Sequence, residues 1–135
     1  IKLADLPAKK SVTENWKIHG ATENCELFGD LAIYGADAEA IAKIIAENSH
    51  MSEKLHPNLP YCAAEIIWAA RNEMARTIED ALARRTRALF LDARAAIEIA
   101  PKTAEIMALE LRKNSDWINE QIREFNATAR NYLGD

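Results

Sequence analysis

The sequence predicts an all-α fold, a compact bundle of five or six helices behind an irregular N-terminal linker. Three observations carry that expectation. Only four Gly and four Pro occur in 135 residues that are 49% hydrophobic and prominent in alanine, the composition of a helical globular protein. From Glu26 onward the apolar residues recur at intervals of three and four rather than two, which is the period of a half-buried helix. No internal repeat or low-complexity stretch interrupts the pattern. A chain of this length can build one domain with its own core and is too short for two ordinary ones.

Residues 1–25 show neither the helical nor the strand period and read as linker, with Pro7 and Gly20 as punctuation. The domain proper is expected over residues 26–135. Its first element, "ELFGDLAIYG", is a short helix stopped by Gly35. In the next, "ADAEAIAKIIAEN", Ala38, Ile41, Ala42 and Ile45 fall on one stripe, while Asp37, Glu39, Lys43 and Glu47 face water. Two prolines make "SHMSEKLHPNLP" an irregular loop. From Tyr61 to Arg84, Ala63, Ile67, Ala70, Met74, Ile78 and Ala81 keep helical spacing, yet Thr77 with Asp80 three residues later could start a fresh helix as a capping pair. The pattern leaves that break open. "LDARAAIEIAPKTAEIMALELRK" reads as two helical pieces hinged at Pro101, since proline lacks a backbone donor. The last helix is capped by Ser115, favoured by Asp116 at its positive end, striped by Ile118, Ile122, Phe125 and Ala129, and ended by Gly134.

Several chemistries are disfavoured. A net charge of −4 argues against nucleic acid, whose binders gain affinity by neutralising phosphates. Gly20, Gly29, Gly35 and Gly134 are too scattered for a dinucleotide or phosphate loop. His50 and His56 sit six apart in a proline-containing loop and His19 stands alone, so they read as solvated loop residues rather than metal ligands. Nothing marks Ser11, Ser49, Ser52 or Ser115 as a nucleophile. Trp16, Trp68, Trp117, Tyr61 and Tyr132 read as core and interface anchors. Cys25 and Cys62 lack any CxxC spacing and fit a reduced cytoplasmic setting, with neither disulfide nor metal expected. No apolar run approaches the ~18 residues that span a bilayer, and no signal peptide opens the chain. A start at Ile1, without Met, leads us to expect an excised domain whose upstream partner is missing.

The stretch with most chemical content is "EMARTIEDALARRTRALFLDARAA", residues 73–96, where Arg84, Arg85 and Arg87 surround Thr86 and run into Leu89, Phe90 and Leu91. Asp80 and Arg84 form an i,i+4 pair in the favourable order, Glu73 and Arg76 an i,i+3 pair, and Glu79 lacks an i+4 partner because position 83 is Ala. One reading makes these exposed pairs worth a few tenths of a kcal/mol each. The other turns Arg84 or Arg85 inward beside the apolar residues, where the guanidinium fork holds carboxylates or helix-end carbonyls from elsewhere. Both readings stand.

Taken in order, Glu65 after a Pro-Tyr start, Glu73, Thr77 with Asp80, the Arg84-Arg85-Thr86-Arg87 run, "LFL", Ala95 with Ala96, and Pro101 before an amphipathic helix resemble a known family. This is the C-terminal helical domain of the FAD-dependent glycerol-3-phosphate dehydrogenases and the related alpha-glycerophosphate oxidases. "SVTENWKIHG" and "LAIYG" resemble that family's linker and first helix. The resemblance implies a larger N-terminal part that binds FAD and oxidises sn-glycerol 3-phosphate to dihydroxyacetone phosphate, with electrons passing to membrane quinone or to oxygen. It places no catalytic, flavin-binding or metal residue on this chain. Residues 1–25 would be the linker from the missing flavin part, and that part would be the partner, with a homo-oligomer open and the parent peripheral to the inner face of the cytoplasmic membrane. Glu65, Thr77, Asp80, Arg84, Arg85, Thr86 and Arg87 carry over as a structural and docking signature, with Asp80 and Glu65 as expected partners of Arg84 and Arg85. A free-standing helical interaction or dimerisation module is the competing expectation, and an anion binder using "ARRTR" the weakest.

Overall fold

A computed structural model describes residues 9–134. The expected punctuation at Pro7 lies outside them. The described residues form five α-helices: α1 (Ala38–Glu47), α2 (Ala63–Asn72), α3 (Ala88–Leu91), α4 (Ala93–Leu111) and α5 (Ser115–Arg130). A π-helical turn over Asp80–Arg85 precedes α3, and 3-10 turns occupy Thr13–Asn15, Cys25–Asp37 and Ser49–Ser52. No strand occurs among the described residues, only an isolated antiparallel bridge between Lys54 and Cys62. The fold is the all-α bundle that the composition implies.

The sequence of α2, "AAEIIWAARN", is apolar almost all round, and such a helix has to be covered on more than one side. Its Ile66 and Ala69 join the main core with Ile78, Leu82, Leu89, Ile99, Met107 and Phe125. Its Ala64, with the preceding Cys62, joins Ile41 in a second cluster, against which Leu31, Tyr34, Ile44, Ile45, Met51 and Trp68 pack. The first cluster is closed by α3, α4 and α5, the second by α1 and the Cys25–Asp37 segment.

Helices α4 and α5 form an antiparallel hairpin. Arg112 takes a left-handed conformation, the Lys113 amide donates to the Ala108 carbonyl, and the chain reverses at once. The α5 cap is Asn114, one residue ahead of the expected Ser115, because its side-chain oxygen accepts from the Trp117 amide at 3.1 Å. The helix ends at Arg130, short of Gly134. Its expected stripe holds: Phe125 and Ala129 are buried, and Ile118 and Ile122 pack against the core.

Two expectations fail, and one open question is answered. The hinge at Pro101 is absent, and α4 runs through it unbroken from Ala93 to Leu111. Pro101 lies on the exposed face, so the Ile97 carbonyl that loses its donor is on the side nearest water. "ELFGDLAIYG" is not an α-helix but part of a run of 3-10 turns, broken at Gly29 and Gly35, whose φ angles are 55° and 56°. Such left-handed residues interrupt helical hydrogen bonding. The break left open between Tyr61 and Arg84 is present: α2 stops at Asn72, and Met74 is left-handed and 75% exposed.

Residues 18–37 close on themselves. The Ala36 amide donates to the Gly20 carbonyl at 2.9 Å, and His19 Nε2 lies 3.0 Å from Asp37 Oδ2. A Cβ added at Gly35 would meet the Gly20 carbonyl oxygen at 2.0 Å. Gly35→Ala therefore opens this closure: faster hydrogen exchange and proteolysis confined to residues 18–37, with the α4/α5 amides unchanged, is the expected result.

Candidate functional site

The site is built on the chain between α2 and α3, the segment that holds most of the sequence signature. Its geometry starts where α2 has to end. The Ala75 amide reaches back to the Ala69 carbonyl at 3.0 Å, and Arg76 Nη1 donates to the Ala70 and Ala75 carbonyls at 2.8 and 3.0 Å. A cation is thereby placed where the helix dipole is negative and the carbonyls lack donors.

The next turn is organised by the pair that the sequence singled out. Asp80 Oδ2 accepts the amides of Arg76 and Thr77, each at 3.0 Å, and the Asp80 amide donates to Thr77 Oγ1 at 3.0 Å. This reciprocal capping box decides the open question: the chain breaks and restarts at Thr77. Partial burial pushes the Asp80 carboxyl up. The Arg76 amide, the Thr77 side chain and amide, and the Arg84 guanidinium together pull it below the usual range.

The helix that restarts widens into the π-turn, in which Ala81, Leu82 and Ala83 are all buried. The buried Thr86 fastens it: both its amide and its Oγ1 donate to the Ala81 carbonyl at 2.9 Å, five residues back. One consequence concerns the arginines. Arg84 Nη1 meets Asp80 Oδ1 at 2.7 Å, as the i,i+4 spacing predicted, and Arg84 Nη2 meets Glu79 Oε1 at 2.6 Å. The second contact spans five residues, which α-helical counting excludes and a π-turn supplies. Arg85 Nε donates to the Glu73 carbonyl at 2.8 Å and sits 3.9 Å from the Glu73 carboxylate.

The exposed-pair reading describes Arg84, and of the inward reading only the contact with a helix-end carbonyl is found, at Arg85. Arg84 is a half-exposed ion pair, whereas Arg85 holds a carbonyl at the end of α2. Neither is buried beside Phe90, which is itself 56% exposed. Arg87 is exposed and left-handed at φ 60°, and it takes part in no ion pair among the described residues.

The expectation that Glu65 partners Arg84 or Arg85 is overturned. Glu65 lies in the first turn of α2, eight positions from Glu73 at the other end, or about 12 Å along the helix. Instead its Oε2 accepts the Cys62 amide at 2.7 Å and its Oε1 accepts the Tyr34 hydroxyl at 3.1 Å. The first contact caps α2, and the second fastens the 3-10 segment to it. Burial pushes the Glu65 carboxyl up, and the bonds from Cys62 and Tyr34 only partly offset this. Burial also raises the Cys62 thiol, and burial together with Glu65 raises the Tyr34 phenol, so both stay neutral.

Two functional partners escaped sequence reasoning. Tyr34 lies far from Glu65 in the chain and had no signal. Gln121 did have one, since it is a polar residue on the apolar stripe of α5. Its Oε1 accepts the Ile78 amide at 3.1 Å, which satisfies a buried donor at the start of the restarted helix.

The two carboxylates respond oppositely to pH. A lowered folded pKa means that the Asp80 contribution is present above its ordinary value of 3.8 and is lost as pH falls through the folded value. Asp80→Ala should cost about 1–2 kcal/mol near neutrality. That deficit shrinks below pH 3.8, as read from urea midpoints across pH. For Glu65 the raised value reverses the sign: its contribution is full below pH 4.5 and declines as pH rises through the folded value. In Glu65→Gln the same urea series should lose that decline, leaving a flatter midpoint profile above pH 4.5.

Comparison with known proteins places this geometry. Residues 11–117 match the family described as the C-terminal domain of alpha-glycerophosphate oxidase. The match begins inside the stretch expected to be linker and stops at the start of α5. A probable mitochondrial glycerol-3-phosphate dehydrogenase of Dictyostelium discoideum is 38% identical over 100 residues, covering 74% of this chain and 15% of the relative. The mitochondrial glycerol-3-phosphate dehydrogenase of Homo sapiens is 33% identical over 106 residues, 76% of this chain and 14% of the relative. That of Schizosaccharomyces pombe is 32% identical over 108 residues, 79% of this chain and 16% of the relative. The chain therefore spans about a sixth or less of the curated relatives it matches. All three are named as mitochondrial, which lends no support to the expected cytoplasmic setting. No helix among the described residues is long and apolar enough to cross a membrane. No solved structure matches the chain. The chain belongs to the family of the C-terminal domain of alpha-glycerophosphate oxidase, within the glycerol-3-phosphate dehydrogenases and oxidases.

Proposed function

We propose that this chain is the helical C-terminal part of an FAD-dependent glycerol-3-phosphate dehydrogenase, and that it supports and docks on the flavin-binding part without taking part in the chemistry. The family match over residues 11–117 carries the reading. The parent would convert the secondary alcohol of sn-glycerol 3-phosphate to the ketone of dihydroxyacetone phosphate, with two electrons leaving through flavin to quinone.

The groups on this chain support a structural share in that work. Asp80, Arg84, Arg85, Thr86 and Glu65 each hydrogen-bond to the chain's own amides, carbonyls or side chains. A group committed in this way is poorly placed to hold a substrate phosphate or abstract a proton. Flavin does not fit the glycines here either. Gly20 and Gly35 face each other, where a glycine-rich phosphate site needs amides gathered at a helix start.

The competing reading, a free-standing interaction module, draws on the exposed Phe90, Leu91 and Tyr132. A dye-linked assay with glycerol 3-phosphate separates the two. The intact reading frame, the frame truncated before Ile1 and the truncated frame supplemented with this chain are compared. Dye reduction by the intact protein, its loss on truncation and its recovery on adding this chain are expected. A reading frame with no flavin-binding half and no activity in any preparation favours the module.

A further inference from the structure

One corner of the domain differs from the rest of its surface. Because α4 and α5 are antiparallel, the start of α4 lies beside the end of α5, and there the rings of Phe90 and Tyr132 meet edge to face with centroids 5.5 Å apart. Phe90 is 56% exposed, the adjacent Leu91 64%, and Tyr132 50%. Arg87, Arg94 and Arg130 flank these three residues in sequence, all exposed and none in an ion pair among the described residues. The nearby Arg84 and Arg85 are both paired. Asp92, the acid in this stretch, is used as the cap of α4, where it accepts the Ala95 amide at 3.0 Å.

Exposed apolar residues flanked in sequence by three arginines outside the ion pairs have the composition of a protein interface, which is enriched in aromatic residues and Arg. The cations select the occupant. A second copy docked by two-fold symmetry would face the same arginines with themselves. An anionic lipid surface is recognised by clusters of about 4–8 Lys or Arg, more than this corner has. An acidic protein surface gains from all three arginines, because each fork can take a carboxylate.

We propose that this corner is where the domain is seated on the rest of its own polypeptide, against a surface with an apolar centre and an acidic rim. The assignment rests on the reading that the chain is the C-terminal part of a longer glycerol-3-phosphate dehydrogenase. It adds which face docks and what the partner face is made of.

The test uses the intact polypeptide with Leu91→p-benzoylphenylalanine, irradiated and mapped by mass spectrometry. The expected cross-link joins position 91 to a segment upstream of Ile1 that carries Asp or Glu. A cross-link to a second molecule, to lipid, or to nothing overturns the proposal. In parallel, Arg87→Glu with Arg94→Glu should shorten the half-life of dye reduction on heating by about tenfold. The same change at Arg112 and Lys113, at the far end of the hairpin, should leave it unaltered. Equal loss in both pairs also overturns the proposal, since net charge alone would then explain the effect. If the intact polypeptide does not oxidise glycerol 3-phosphate, the functional reading falls whatever the cross-link shows. If it does, and position 91 joins elsewhere, only this surface falls.

Discussion

The burial of α2 on two sides is the constraint from which the other elements take their places. A ten-residue helix with almost no polar face cannot lie on a surface. The hairpin of α4 and α5 covers one side, and α1 with the 3-10 segment covers the other. Each end of such a helix leaves backbone groups without partners inside the protein, where water cannot easily reach them. Glu65 answers that need at the first turn, and Arg76 with Arg85 answers it at the last. The charged signature is therefore largely an accessory of one buried helix.

The same constraint explains the unusual backbone between α2 and α3. The chain has to leave α2, turn and bring Ile78, Ala81, Leu82 and Ala83 back into the core within a few residues. A left-handed Met74 makes the exit, the Thr77 and Asp80 box restarts the helix, and the π-turn admits consecutive residues to the interior. Non-glycine left-handed residues and π-turns cost conformational energy and persist where surrounding contacts hold them. Here Thr86 and Arg84 on the turn, with Gln121 from α5, supply those contacts.

Much of this was legible in the sequence. Helical class, the stripe of α5, and the Thr77, Asp80 and Arg84 relations follow from local spacing, and local spacing survives folding. Where the reading failed, the cause was a single residue's surroundings or a distant one. Pro101 did not hinge α4 because its missing donor lies on the wet side. Glu79 found Arg84 because the turn is π rather than α. Glu65 found Tyr34, 31 positions away, because the second cluster brings the 3-10 segment onto α2. No short-range rule contains that contact.

The family match ends at Trp117, only three residues into α5, yet the remainder of that helix contributes Phe125 and Ala129 to the core and Gln121 to the backbone of Ile78. A boundary drawn from similarity alone would thus cut the folding unit through its interior. A polypeptide ending there would keep helical backbone while losing the side chains that fix it, and it would bind hydrophobic dyes and give weak near-ultraviolet dichroism, as molten globules do. The segment that lies beyond the family match can still be the one that makes the core solid.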